Sequence, residues 1–160
     1  MHRDMAIPMT GNADVDFVQG MIPHHQGAVD MAKIVLQYGQ KTEMTLDPFY
    51  LIVDHTRWIE RLLPHGLRLV QLRIKNKPDD LLRAEISRAR DLCHHAGATL
   101  IINDYWQMAI DEGCNFVHLG QEDLAEADLP AIRRAGCRFG LSTHDENELD
   151  LALATHPDYI

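Results

Sequence analysis

From residue 49 onward, short runs of apolar and β-branched residues alternate with longer stretches whose apolar positions recur every three or four residues. The short runs predict strands over 49–53, 68–74, 99–103, 115–119, 137–141 and 158–160. The longer stretches predict helices over 55–63, 79–96, 105–112, 122–135 and 145–154. Strand and helix alternating at this spacing imply parallel strands joined by crossover helices. The expected fold class is α/β, with five βα units and the opening of a sixth strand.

Ahead of this pattern the chain reads differently. Asp14 is a capping residue, apolar positions recur at Phe17, Met21, Ala28, Met31 and Val35, and Gly39 stands where a helix would stop. Pro23 interrupts the series and predicts a kink or a restart. Six of the seven methionines fall between Met1 and Met44. That shift predicts two parts of separate origin, a helical leader over 1–43 and α/β sequence over 44–160, with the join around 40–48.

The chemistry-bearing positions cluster at strand ends. In Val70-Gln71-Leu72-Arg73-Ile74-Lys75, alternation puts the apolar residues on one face and Gln71, Arg73 and Lys75 on the other. A parallel strand covered by helices should be apolar on both faces. Three long polar side chains there either serve a ligand or satisfy one another near a barrel end. Ile102-Asn103-Asp104 ends an apolar run in an amide and a carboxylate. His118-Leu119-Gly120-Gln121-Glu122-Asp123 and Gly140-Leu141-Ser142-Thr143-His144 follow the next two strands. Any one of these would pass as a turn or a cap. Four in succession, at the end of the strands where parallel barrels carry their sites, point to binding or catalysis.

Composition narrows the class further. The net charge is −9 and the basic residues are scattered, which argues against nucleic acid as a partner. No apolar run reaches the roughly 18 residues of a membrane span, and no signal peptide is evident. Cys93, Cys114 and Cys137 form no Cys-x-x-Cys pair. They read as reduced thiols, and the expected location is cytoplasmic.

The strand-end motifs resemble those of the thiamine phosphate synthases. That family shows a Q-L-R-x-K strand, an I-N-D strand end, an H-L-G-Q-E-D turn and a G-x-S-T-H turn, in this order. The segments Pro48-Phe49-Tyr50-Leu51-Ile52-Val53-Asp54 and Asp158-Tyr159-Ile160 are also similar to family segments. The resemblance implies a transferase of thiamine biosynthesis that joins a hydroxymethylpyrimidine diphosphate to a thiazole phosphate and releases diphosphate. It implies catalytic roles for Arg73, Lys75 and Ser142, and substrate binding by Gln71, Arg73, Lys75, Asn103 and Ser142. It implies Mg²⁺ on Asp104 and Asp123. His118 and His144 are weaker candidates, because a histidine beside a strand end is commonly a hydrogen-bonded structural group. The resemblance also implies an incomplete TIM-type (β/α) barrel, with about five and a half of the eight βα units that closure requires, and the family's later phosphate-binding turns have no counterpart before Ile160. The expectation is therefore a fragment without synthase activity, whose open sheet edges favour self-association.

Met21-Ile22-Pro23-His24-His25-Gln26-Gly27-Ala28 resembles a second family, of Met- and His-rich helical proteins associated in some members with copper. The resemblance makes Met21, His24, His25 and Met31 candidate copper ligands, since thioether and imidazole suit that metal. The same positions also read as an apolar stripe packing on the barrel. Two alternative functions follow: a copper-binding module fused to an inert barrel remnant, and a barrel of the thiazole tautomerase kind. The Asp104 and Asp123 pair favours the synthase, because a departing diphosphate needs a cation.

Overall fold

The computed structural model describes residues 45–160. The leader, with Met21, His24, His25 and Met31, lies outside the described residues.

Five strands form one parallel sheet: β1 (Leu51–Val53), β2 (Leu69–Leu72), β3 (Thr99–Asn103), β4 (Phe116–Leu119) and β5 (Arg138–Leu141). They lie side by side in chain order, which is the topology of consecutive βα units along a barrel wall. Between and after them run α1 (Thr56–Leu62), α2 (Asp79–Ala96), α3 (Trp106–Asp111), α4 (Gln121–Glu126), α5 (Leu129–Arg134) and α6 (Glu146–Ala154). Where a sixth strand was expected, Tyr159 makes a single isolated bridge to Gly140, in parallel, and its carbonyl accepts a hydrogen bond from Leu141 N.

Strand alternation divides the core in two. On the outer face Val53, Val70, Leu72, Leu100, Ile102, Val117, Leu119, Phe139 and Leu141 meet the helices. The long helix α2 answers with Leu82, Ile86, Ala89 and Cys93, one stripe at helical period. Each fully buried aliphatic side chain there contributes about 1.5–3 kcal/mol. Asp79 and Asp80 sit in the first turn of α2, where the helix dipole favours negative charge. Gly97 ends it with φ +66°, a left-handed conformation that costs glycine little. On the inner face Leu69, Ile101, Phe116 and Tyr159 form a second, smaller cluster. Sequence alternation had marked that face by its polar residues, and Gln71 and Asn103 are indeed buried there.

Among the described residues the other expected elements are present, with two corrections. The helix expected over 122–135 is two helices, α4 and α5, set apart by Ala127 and Asp128. Asp128 restarts the chain by accepting a hydrogen bond from Ala131 N, and Pro130 occupies the first turn, where no N–H is needed. The strand expected over 68–74 ends at Leu72. Arg73 still bonds to Val53 O, but Arg73 and Lys75 reach beyond the sheet and are exposed rather than inward-facing.

Candidate functional site

All four strand-end motifs converge on the carboxyl edge of the sheet. At the end of β3 the backbone reverses within two residues: Tyr105 N donates to Asn103 O and Trp106 N to Asp104 O. This places Asp104 at φ +65°, a region that aspartate tolerates better than most residues. A left-handed non-glycine residue at a strand end is strain of the kind found where a side chain must be aimed. The Asp104 carboxylate forms an ion pair with Lys75 from the β2–α2 loop.

Asp123 comes to the same place from the first turn of α4. Gly120 leaves room for it, since a Cβ at Gly120 would lie 3.2 Å from Asp123 Oδ2. Burial pushes the Asp123 carboxyl up, and hydrogen bonding and charge repulsion from Asp104 push it further. Two carboxylates close enough to share a proton would be relieved by a hard cation. Among the described residues no group of three or more His, Cys, Asp or Glu side chains is placed to hold a metal ion. Mg²⁺ is a hard cation that can take one or two protein carboxylates and complete its shell with phosphate oxygens and water.

Asn103 is 5% exposed, and among the described residues its Nδ2 has no hydrogen-bond partner. An orphaned buried amide costs about 1–3 kcal/mol, and a ligand acceptor would satisfy it. Gln71, by contrast, is occupied: its Nε2 donates to Tyr50 Oη at 2.6 Å. From there a chain of contacts crosses the inner face. Tyr50 Oη meets Tyr159 Oη at 2.7 Å, Tyr159 Oη meets His118 Nδ1 at 2.7 Å, and His118 Nε2 meets Ser142 Oγ at 2.7 Å. Ser142 is anchored by its backbone as well, through Ser142 N to Leu119 O and Gln121 Nε2 to Ser142 O. Burial drives the His118 imidazole down to about 4, against the opposing pull of the Asp104 charge. Burial pushes the Tyr50 phenol up to about 12 and Tyr159 well above its ordinary value.

Lys75, Asp104 and Asp123 are thus brought together, and the Gln71 and Ser142 side chains are joined through the inner-face chain. Arg73 is exposed, and its side chain makes no hydrogen bond or ion pair among the described residues. His144 stands apart, exposed and bound to Glu148 through both its backbone N and its ring. Tyr50 and Tyr159 were not anticipated as site residues. Their signal was parity: each falls on the inner face beside Gln71 or His118, where a tyrosine must find a partner for its hydroxyl.

A family model described as thiamine monophosphate synthase matches residues 49–160, more than half of the chain. The chain belongs to the thiamine monophosphate synthase family. A model described as a domain of unknown function (DUF305) matches residues 2–46. Among relatives, a thiamine-phosphate synthase of Rhizobium etli is 65% identical over 117 residues, covering 73% of this chain and 57% of that protein. One from Enterobacter sp. (strain 638) is 53% identical over 111 residues, covering 69% of this chain and 53% of that protein. The chain spans little more than half the length of these relatives. A solved thiamine phosphate pyrophosphorylase from Pyrococcus furiosus superposes with a TM-score of 0.60 at 22% identity, over 68% of this chain and 56% of that one. The likeness supports the TIM-type fold. Both expected resemblances and the fold class are borne out.

Proposed function

We propose that the carboxyl edge of this sheet binds the diphosphate of a pyrimidine diphosphate together with Mg²⁺, as part of thiamine phosphate synthesis. The observation that carries the reading is the meeting of Lys75, Asp104 and Asp123, an ion pair with a second carboxylate beside it. Asp104 and Asp123 would hold Mg²⁺, whose chemistry is to neutralise charge growing on the leaving diphosphate. Lys75 and the exposed Arg73 supply positive charge for the same anion. Asn103 offers its unpartnered amide to a ring nitrogen or phosphate oxygen, Gln71 shapes the floor, and Ser142 orients the leaving group. Reaction with a thiazole phosphate is proposed for the whole protein. For the 160-residue chain we expect binding without turnover, because catalysis needs both substrates positioned, worth about 7–11 kcal/mol in favourable cases. No helix among the described residues is long and apolar enough to cross a membrane. Cys93, Cys114 and Cys137 are free thiols, which suits a reducing cytoplasm.

Calorimetry of the full chain with diphosphate, with and without Mg²⁺, tests this. Mg²⁺-dependent binding is expected, and Asp104→Ala should abolish the dependence. Equal binding by wild type and variant would remove Asp104 as a cation ligand. The edge of β1 favours a second property, self-association, taken up below.

A further inference from the structure

The inner-face chain has a direction, and proton counting supplies it. Gln71 Nε2 is a donor, so Tyr50 Oη accepts from it. The Tyr50 hydroxyl proton then has one acceptor among its hydrogen-bond partners, Tyr159 Oη. Tyr159 Oη, having accepted, passes its own proton to His118 Nδ1. An imidazole that accepts at Nδ1 carries its proton on Nε2, and Nε2 faces Ser142 Oγ. Ser142 Oγ therefore accepts from His118, and its own proton is left to donate outward. In the opposite direction the proton of Tyr50 would find no acceptor in the chain, since Gln71 and Tyr159 would both donate to it.

Resting on the diphosphate reading above, we infer that Tyr50 and Tyr159 are positioning residues that fix His118 as its Nε2–H tautomer and thereby hold Ser142 as a hydrogen-bond donor to an anionic phosphate oxygen. The opposite polarity would make His118 a base and Ser142 a nucleophile in the manner of a hydrolase. The packing serves the same end. Tyr159 stacks on His118 with centroids 5.5 Å apart and meets Tyr50 and Phe116 edge-on. Its ring lies so close over Gly140 that a Cβ there would overlap it. The phenol is thus held by four neighbours in the one place from which it reaches Nδ1.

The test begins with the unaltered full chain, so that no variant need fold. Long-range ¹⁵N–¹H correlation of ¹⁵N-histidine protein at neutral pH, with His118 identified by its loss in His118→Gln, should show a protonated Nε2 and a pyridine-type Nδ1. A protonated Nδ1 would overturn the inference. Tyr159→Phe and, independently, Tyr50→Phe should reduce the tautomer preference, and an unchanged His118 spectrum in both would also overturn it. Mg²⁺-diphosphate affinity should fall about tenfold in Ser142→Ala, as for loss of one hydrogen bond to a charged group, and similarly in Tyr159→Phe. The double variant should be no weaker than either single one, whereas full additivity would refute action of Tyr159 through Ser142. If the Nε2–H form is found in a chain that does not bind Mg²⁺-diphosphate, the relay stands and the diphosphate reading falls.

Discussion

At the scale of single residues, the site costs the fold some stability, and Asp123 shows where. Its carboxyl is pushed up by burial and by Asp104, so the folded chain holds that proton more tightly than the unfolded chain does. The contribution is favourable at low pH and is lost as pH rises through the folded value. Asp123→Asn mimics the protonated form. It should therefore melt higher than wild type at pH 7, with the gap closing toward acid pH, while its Mg²⁺-dependent diphosphate affinity drops by about 10–100-fold or more. Scanning calorimetry from pH 4 to about pH 8 reads the first effect, and a wild type more stable than the variant throughout would contradict it. Gly140 is constrained in a different way. Gly140→Ala should displace Tyr159 from the inner face at a cost of about 1–3 kcal/mol, measurable by denaturant unfolding. Much of this residue-scale picture was legible in advance: Gln71, Lys75, Asn103, Asp104, Asp123 and Ser142 all sit at strand ends, where an apolar run breaks into polar chemistry. The partners that hold them were not. Tyr50 lies 109 residues from Tyr159, and nothing along the chain announces that their hydroxyls meet.

At the scale of elements, one carboxylate ties two loops together. Glu85 on α2 accepts from Thr56 N at 2.9 Å, at the start of α1, while His55 Nε2 and Lys77 Nζ lie 3.4 and 3.5 Å from its other oxygen. Thr56 Oγ1 adds a bond to Glu85 O. The β1–α1 loop and the β2–α2 loop, which carries Arg73 and Lys75, are thereby referred to the same helix. Burial alone would raise the Glu85 carboxyl. Hydrogen bonding from Thr56 and the charges of His55 and Lys77 outweigh burial and hold it below its ordinary value. Stability from this clamp is present above the unfolded value, near pH 4, and is lost as pH falls through the lower folded one. Glu85→Ala should cost about 1.5–3 kcal/mol at neutral pH, the range for hydrogen bonds to a charged group, and progressively less in acid. A pH-independent loss would show that packing rather than charge is responsible. Periodicity had located α2 to the residue, because its buried stripe is unbroken from Leu82 to Cys93. It overran the segment divided into α4 and α5, because Asp128 and Pro130 break a helix by capping chemistry while Leu129 and Ile132 keep its apolar pattern intact.

At the scale of the whole molecule, the sheet is covered unequally. Its outer face is sealed by helices, but on the inner face Ile52 remains half exposed at β1, in register with the buried Gln71. Among the described residues β1 hydrogen-bonds to β2 alone, which leaves its outer side with backbone donors and acceptors facing solvent. Such an edge is a template for another strand, and an apolar residue beside it adds a reason to pair. Two features weaken the tendency. The strand is only three residues long, and the chain carries a net charge of −9 that repels a second copy. The balance favours weak association that strengthens as salt screens the repulsion, the reverse of what a salt-bridged interface would show. Sedimentation velocity should detect dimers with a dissociation constant in the micromolar range, about −8 kcal/mol, growing in population as ionic strength rises. Ile52→Lys places charge on that edge and should return the protein to monomer without lowering its melting temperature, since the side chain packs against little in the single chain. A protein that stays monomeric at about 100 µM and high salt would show that the β1 edge is covered, and that the half-exposed Ile52 is tolerated rather than sticky.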